Sequence, residues 1–441
     1  MPIVSIGAPC GRLSAHRRIS PVSWRIQARS LNNPRLSALG LLLVGIGLAG
    51  SQAHALGFAE ALDLAEQRSP RVTAQQLQID AASSTQKSAG TLPDPKLSVG
   101  VENLPISGMD RFSLTRESMT MQRLALMQEV PNRAKRDAQI ASAQAKVERE
   151  RAALGVQRLQ IRQELSQAWI MAQAIEQRDQ VLTDLLVQNQ RLQDSLPARI
   201  AGGTAQASDL LAARQEALAL SDRRDDLQRD RSKARAMLRR WVGARADEAL
   251  QGAPGPLRRA PEQLRSELHR HAELAQYPAM QAMALAESRG AQAESRGDWS
   301  WEIAYSRRAR QWGDMVSFQV TFDLPWQQER RQAPQIKAKQ LELQRLEAEQ
   351  EDVTRRHLQE LEDSASDLAA LNSQIERLQS AGISLAQGRA ELALGNYQAA
   401  KGDLSAVLSA RAQVLETHWR LIELQAQRDV VIARLNSLIA D

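Results

Sequence analysis

Residue types that do chemistry are thinly spread along this chain. Beyond residue 55 the histidines are His269, His271, His357 and His418. His269-Arg270-His271 places two imidazoles two positions apart, a spacing that meets on one cation from an extended segment. On a helix such positions face differently, and two ligands alone fall short of a stable site. No metal site and no cofactor are expected. Met109, Met119, Met121 and Met127 share odd parity. Thioethers suit Cu(I), but a flexible methionine row also packs well at an interface, and packing is the preferred reading. The single cysteine, Cys10, lies close to the start. There is no glycine-rich phosphate loop, nucleophile elbow or HExxH helix. The chain does not read as an enzyme.

What could position any function is clearest from Asp298 to Trp326. Trp299, Trp301, Ile303 and Tyr305 alternate with Ser300, Glu302 and Ser306. After a turn at Gly313-Asp314, Val316, Phe318, Val320, Phe322 and Leu324 alternate with Ser317, Gln319, Thr321 and Asp323. Strands send successive side chains to opposite faces, so each strand has one apolar and one polar side. Seven of the fifteen Trp, Tyr and Phe residues fall in this stretch, with Trp299, Trp312 and Trp326 near strand ends. Membrane barrels use strands of ~9–11 residues flanked by aromatic girdles. A membrane hairpin therefore outweighs a soluble one.

The first 55 residues read as an export signal. Six arginines precede the apolar run from Leu36 to Gly50, and Ala53-His54-Ala55 follows as a cleavage pattern. That leader holds six of the 57 basic residues and no acidic one. The remainder carries 51 basic against 51 acidic residues. Near-neutral charge removes the support for a nucleic-acid partner.

The rest divides into two similar halves. Residues 56–242 form a first repeat with a hairpin at 96–130, in which Leu97, Val99 and Val101 oppose Ser98, Gly100 and Glu102. Residues 243–261 are a Gly/Pro-rich linker, and 262–441 form a second repeat with the hairpin at 298–326. After Pro131 a helix of roughly 65 residues, ~100 Å long, carries Val147, Leu154, Ile161, Ala168, Ile175 and Leu182 every seventh position. That is a coiled-coil seam. Pro197 and Gly202-Gly203 are expected to break it. Ala213, Leu220, Leu227, Ala234 and Trp241 continue the seam on the next helix. The second half should have a long helix from about Pro334 to Leu394, a break over 395–402, and a final helix. Gly203, Leu211, Ala213 and Arg214 match Ala400, Leu408, Ala410 and Arg411 at a constant offset of 197. A duplicated helix–hairpin–long helix–helix unit results.

Four membrane strands cannot close alone, because open edges leave backbone groups unpaired in hydrocarbon. Several chains must share one barrel. Taken together with Leu92-Pro93-Asp94-Pro95, Gln128-Glu129-Val130-Pro131 and the paired Leu211-Ala212-Ala213-Arg214 and Leu408-Ser409-Ala410-Arg411, the sequence resembles the TolC-like outer-membrane efflux channel family. The resemblance implies a mainly α chain with a small β membrane part. It implies a homotrimer with a shared twelve-stranded barrel and an α-helical tunnel in the periplasm. Such a duct is passive and docks on a periplasmic adaptor and an inner-membrane pump. Glu102-Asn103-Leu104-Pro105 and the loop at 109–116 resemble the branch serving heavy-metal pumps of the resistance-nodulation-division type. A multidrug or type I secretion outlet of the same fold is the alternative, and a periplasmic coiled-coil adaptor a more distant one.

The resemblance also singles out the two helical tips as the entrance gate. Asp209 matches an acidic residue on the first tip and Tyr397 a tyrosine on the second. Where the family pattern has an arginine this chain has Gly402, with Lys401 beside it. Pore aspartates of the pattern fall at Ala406 and Ser409, leaving Asp403 as a possible replacement ring. The competing reading of Asp209 is a helix cap.

Overall fold

The computed structural model describes residues 55–439, so the expected leader and Cys10 lie outside the described residues. Strand β1 (Leu56–Gly57) leads into helices α1 (Phe58–Arg68) and α2 (Pro70–Ser88). Pro70 starts α2, where its missing N–H costs nothing and its fixed φ suits the first turn. A hairpin of β2 (Lys96–Glu102) and β3 (Met121–Val130) is followed by α3 (Arg133–Ala201) and α4 (Ala207–Val242). After the short β4 (Leu250–Gln251) a similar order recurs. Helices α5 (Pro261–Ser266) and α6 (Tyr277–Ala293) precede β5 (Trp299–Arg307) and β6 (Met315–Phe322). Then come α7 (Gln332–Arg377), α8 (Ile383–Gln398) and α9 (Leu404–Ser437). A π-helical turn at Leu378–Gly382 joins α7 to α8.

Two expected boundaries move. Pro197 sits inside α3, which continues to Ala201. A proline one turn from the end forfeits a single hydrogen bond of a 69-residue helix. The stop comes at the expected glycines, Gly202 and Gly203, the latter with a φ of 70° in the left-handed region. Likewise Gly395 lies within α8, and the second break narrows to the residues after Gln398.

The seven-residue seams pack as expected. Val147, Ile161, Ala168, Ile175 and Leu182 of α3 are buried, as are Ala213, Leu220, Leu227, Ala234 and Trp241 of α4. Most of them share a core with Ala61 and Ala65 of α1 and Leu415 of α9. Each buried Leu or Ile contributes roughly 1.5–3 kcal/mol, so packing rather than propensity holds these long helices. Trp169 anchors the centre of this core. It is fully buried, meets Phe58 edge-on at 5.6 Å, and donates its indole N–H to the Gly252 carbonyl at 3.0 Å.

Sheet and helices meet at a polar hub. Asn132 caps α3 by accepting from the Lys135 N–H at 2.9 Å. Its own backbone N–H and side-chain amide both donate to Asp298 Oδ1, at 2.8 and 3.1 Å, and Lys135 Nζ reaches Asp298 Oδ2 at 3.0 Å. The start of α3 is thereby tied to the start of β5. Gly297 makes the approach possible: a Cβ there would lie 2.2 Å from the Asp323 carbonyl oxygen, and its φ is 68°.

Candidate functional site

The four long strands form one antiparallel sheet in the order β2-β3-β5-β6. Its register collects the apolar residues on one face. Val99 pairs with Leu124, Leu124 with Tyr305, and Tyr305 with Val316. One step along, Leu97, Leu126, Ile303 and Phe318 form a parallel row. The other face carries Ser98, Ala125, Ala304 and Ser317, with charged residues between.

Burial on this sheet is inverted. Val99 is 78% and Phe318 69% exposed, whereas Ala304 is 1% and Ser306 3% exposed. A soluble sheet would hide the large apolar side chains. A contiguous apolar surface of this kind marks contact with something other than water. The polar face is knitted by ions. Arg123 bonds Glu102 at 2.9 Å and also Glu302, and Lys96 pairs with Glu129. Among the described residues no helix is long and apolar enough to cross a membrane.

Aromatic residues flank the apolar rows at both ends. Trp299, Phe322 and Trp326 lie at the end next to the helices, and Tyr305, Trp312 and Phe112 at the loop end; all six are exposed. Of the methionine row only Met121 and Met127 share the polar face of β3. Met109 and Met119 belong to the preceding loop and are exposed.

At the opposite pole lie the tips between α3 and α4 and between α8 and α9. The two turns are built alike. Gly202 donates to the Ala198 carbonyl at 3.0 Å, Gly203 to Ile200 at 3.0 Å, and Thr204 to Arg199 at 2.9 Å. The residues 197 positions later repeat this: Ala399 to Gly395 at 3.0 Å, Ala400 to Tyr397 at 3.1 Å, and Lys401 to Asn396 at 2.8 Å. Gly203 and Ala400 both take positive φ, 70° and 56°. Alanine there works against its own Cβ.

The structure brings Asp209 and Tyr397 together. The Tyr397 hydroxyl donates to Asp209 Oδ2 at 2.9 Å, linking the two tips of one chain. Tyr397 is buried beneath the Arg199 guanidinium, 4.7 Å above its ring. Burial first, and the bond to Asp209 second, push its hydroxyl pKa up. Asp209 is also a cap: its Oδ2 accepts the Gln206 backbone N–H at 3.0 Å. Asp209 Oδ2 thus serves both as a helix cap and as the acceptor of the bond between the two tips. Lys401 is exposed on the second turn. Asp403 caps α9, its Oδ1 accepting the Ala406 N–H at 2.9 Å.

His269 is exposed and does not join His271. His271 instead lies against His357 of α7, ring centroids 4.0 Å apart with the planes tilted by 42°, and both are buried. Burial, then the neighbouring His357, lowers the His271 pKa to about 4. Sequence spacing gave no sign of this pairing, because the partners lie in distant segments.

No protein-family model matches the sequence, and no curated protein matches it. Solved structures do. The outer membrane protein VceC of Vibrio cholerae superposes with a TM-score of 0.71 at 17% identity, covering 86% of this chain and 95% of its own. A membrane protein from Pseudomonas aeruginosa gives 0.74 at 16% identity, over 87% and 90% of the two chains. CusC, whose structures concern folding and transmembrane channel formation, gives 0.71 at 16% identity, over 87% and 92%. The chain has the fold of TolC-like outer-membrane channels.

Proposed function

We propose that this chain is the outer-membrane exit duct of a tripartite efflux system. Three copies close one twelve-stranded barrel, four strands from each. The apolar rows face lipid and the ion-paired face lines water. The long helices continue as a tunnel through the periplasm, and the tips form its entrance, where an adaptor and an inner-membrane pump engage. The observation that carries this reading is the inverted sheet. Its exposed apolar face needs lipid, and its two free edges need neighbours.

The helices carry a second, unfilled seam. Leu211 and Leu218 on α4, and Leu385 and Leu392 on α8, are spaced by seven; Leu218 is 69% and Leu392 71% exposed. Exposed leucines at coiled-coil spacing call for another helix, which adjacent subunits supply.

Transport through such a duct is passive. The protein contributes a wet lumen, in which Arg123 is balanced by Glu102 and Glu302, and an entrance held by Tyr397 and Asp209. Energy comes from the pump. For cargo we infer heavy-metal cations, on the similarity of residues 102–105 and 109–116 to the metal branch. Purified protein in planar bilayers should give discrete ion-conducting events; a silent protein would remove the channel reading. A deletion strain should lose tolerance to zinc, cobalt or copper before tolerance to bulky drugs. Drug sensitivity with unchanged metal tolerance would move the duct to the multidrug or secretion branch.

A further inference from the structure

We infer that His271, Glu273 and His357 form a binding site for a divalent transition-metal ion such as zinc. One ligand atom from each lies within 4.8 Å of the others. The site joins two separate segments. His271 and Glu273 sit between the short turns Leu268–Arg270 and Leu274–Gln276, and His357 lies on α7. Both imidazoles are buried, at 4% and 5% exposure.

The surroundings resemble those of a metal-ligating histidine. His357 Nδ1 lies 3.0 Å from Glu360 Oε2, while its Nε2 faces Glu273 Oε2 at 2.9 Å. A proton on Nδ1, held by Glu360, leaves the Nε2 lone pair directed at the Glu273 carboxylate. Such a carboxylate–histidine pair fixes the ring tautomer and raises ligand basicity. Zinc binds nitrogen and oxygen at ~2.0–2.2 Å, so a cation between Nε2 and Oε2 needs only a small separation of the two. Glu273 Oε1 is occupied by Arg356 at 2.8 Å, which leaves Oε2 as a single ligand oxygen. His271 Nδ1 accepts the Glu273 backbone N–H at a long 3.2 Å, so ligation by this ring requires that bond to give way and free a ring lone pair for the ion. Two imidazoles and one carboxylate suit zinc, and also cobalt, nickel and copper. The fourth position falls to water.

A bound ion would staple the irregular stretch before α6 to α7. That stretch has little regular structure of its own, only α5 and two short turns. This site lies apart from both sheet and tips, and its role is independent of what the duct carries.

The test uses the tag-free mature protein in detergent, stripped with a chelator and titrated with Co²⁺. We expect one cobalt per chain, visible absorption of low-coordinate character, and displacement by Zn²⁺. His271→Gln and His357→Gln should abolish the signal, while His269→Gln leaves it unchanged. Glu360→Gln, which removes only the orienting carboxylate, should weaken affinity about 10–100-fold. Should the histidine variants fail to assemble, the wild-type stoichiometry and the Glu360→Gln shift still decide. Absence of stoichiometric cobalt binding, or binding undiminished by Glu360→Gln, would overturn the assignment.

Discussion

In the proposed duct, Tyr397 and Asp209 are the pair that holds the entrance. Tyr397→Phe removes the link between tips but leaves the Gln206–Asp209 cap intact. A hydrogen bond to a charged group contributes ~1.5–3 kcal/mol, and the proposed trimer would bring three copies together, although coupled terms need not add. Single-channel conductance should rise in this variant with the barrel intact. Unchanged conductance would leave Asp209 as a cap alone. A pH dependence follows, because the tyrosine pKa is raised in the folded tips. The contribution is complete below the ordinary tyrosine value of about 10 and is lost as pH rises through the raised one. Tyr397→Phe should abolish that alkaline opening. The left-handed Ala400 offers an independent check. Ala400→Gly relieves a cost of roughly 1–2 kcal/mol, partly offset by glycine's freedom in the unfolded chain. Backbone exchange around 396–404 should slow by an amount equivalent to up to about 1 kcal/mol; faster exchange would show that the turn is not strained. The sequence reached Asp209 and Tyr397 only through family likeness. Asp403 caps α9, as acidic residues beside helix starts do.

The strands and helices were the more legible level, because their periods of two and seven are written in side-chain polarity. The expected faces of Leu97–Glu102, Leu124 and Leu126, Trp299–Ser306 and Val316–Phe322 match the register, although the second strand starts only at Met121. Positions without such a period were not readable. Pro197 is a helix breaker by local rule, yet the packed seam of α3 overrides one lost bond. The two-residue β1 pairs in parallel with β4, Leu56 to Leu250, and is too short to leave a pattern. The lipid-facing assignment can be tested on β6. Arg on the lipid face near the midplane costs ~2–4 kcal/mol, so Phe318→Arg and Val320→Arg should impair assembly. Gln319→Arg, opposite Glu302 on the polar face, should be tolerated. Equal assembly of all three would reverse the inside and outside of the sheet. For the helices, Leu218→Lys or Leu392→Lys should lower the temperature at which the oligomer dissociates in mild detergent. Each removes roughly 1.5–3 kcal/mol of apolar burial per subunit. No change would place these leucines away from any subunit contact.

At the scale of the molecule, duplication explains why sheet and tips each draw on both halves. The tip turns repeat hydrogen bond for hydrogen bond at an offset of 197, whereas the Tyr397–Asp209 bond has no counterpart, since its equivalents are Ile200 and Ala406. The halves also differ before their hairpins. Two regular helices stand in the first, but only α6 follows a run of short turns in the second, where the histidine cluster sits. One chain offers four strands with two open edges and an exposed apolar face, a state that neither water nor lipid satisfies. The decisive quantity is therefore the protein mass of the mature chain in mild detergent, measured by light scattering corrected for bound detergent. A trimer is the predicted result. A stable monomer would contradict the shared barrel, and with it the duct.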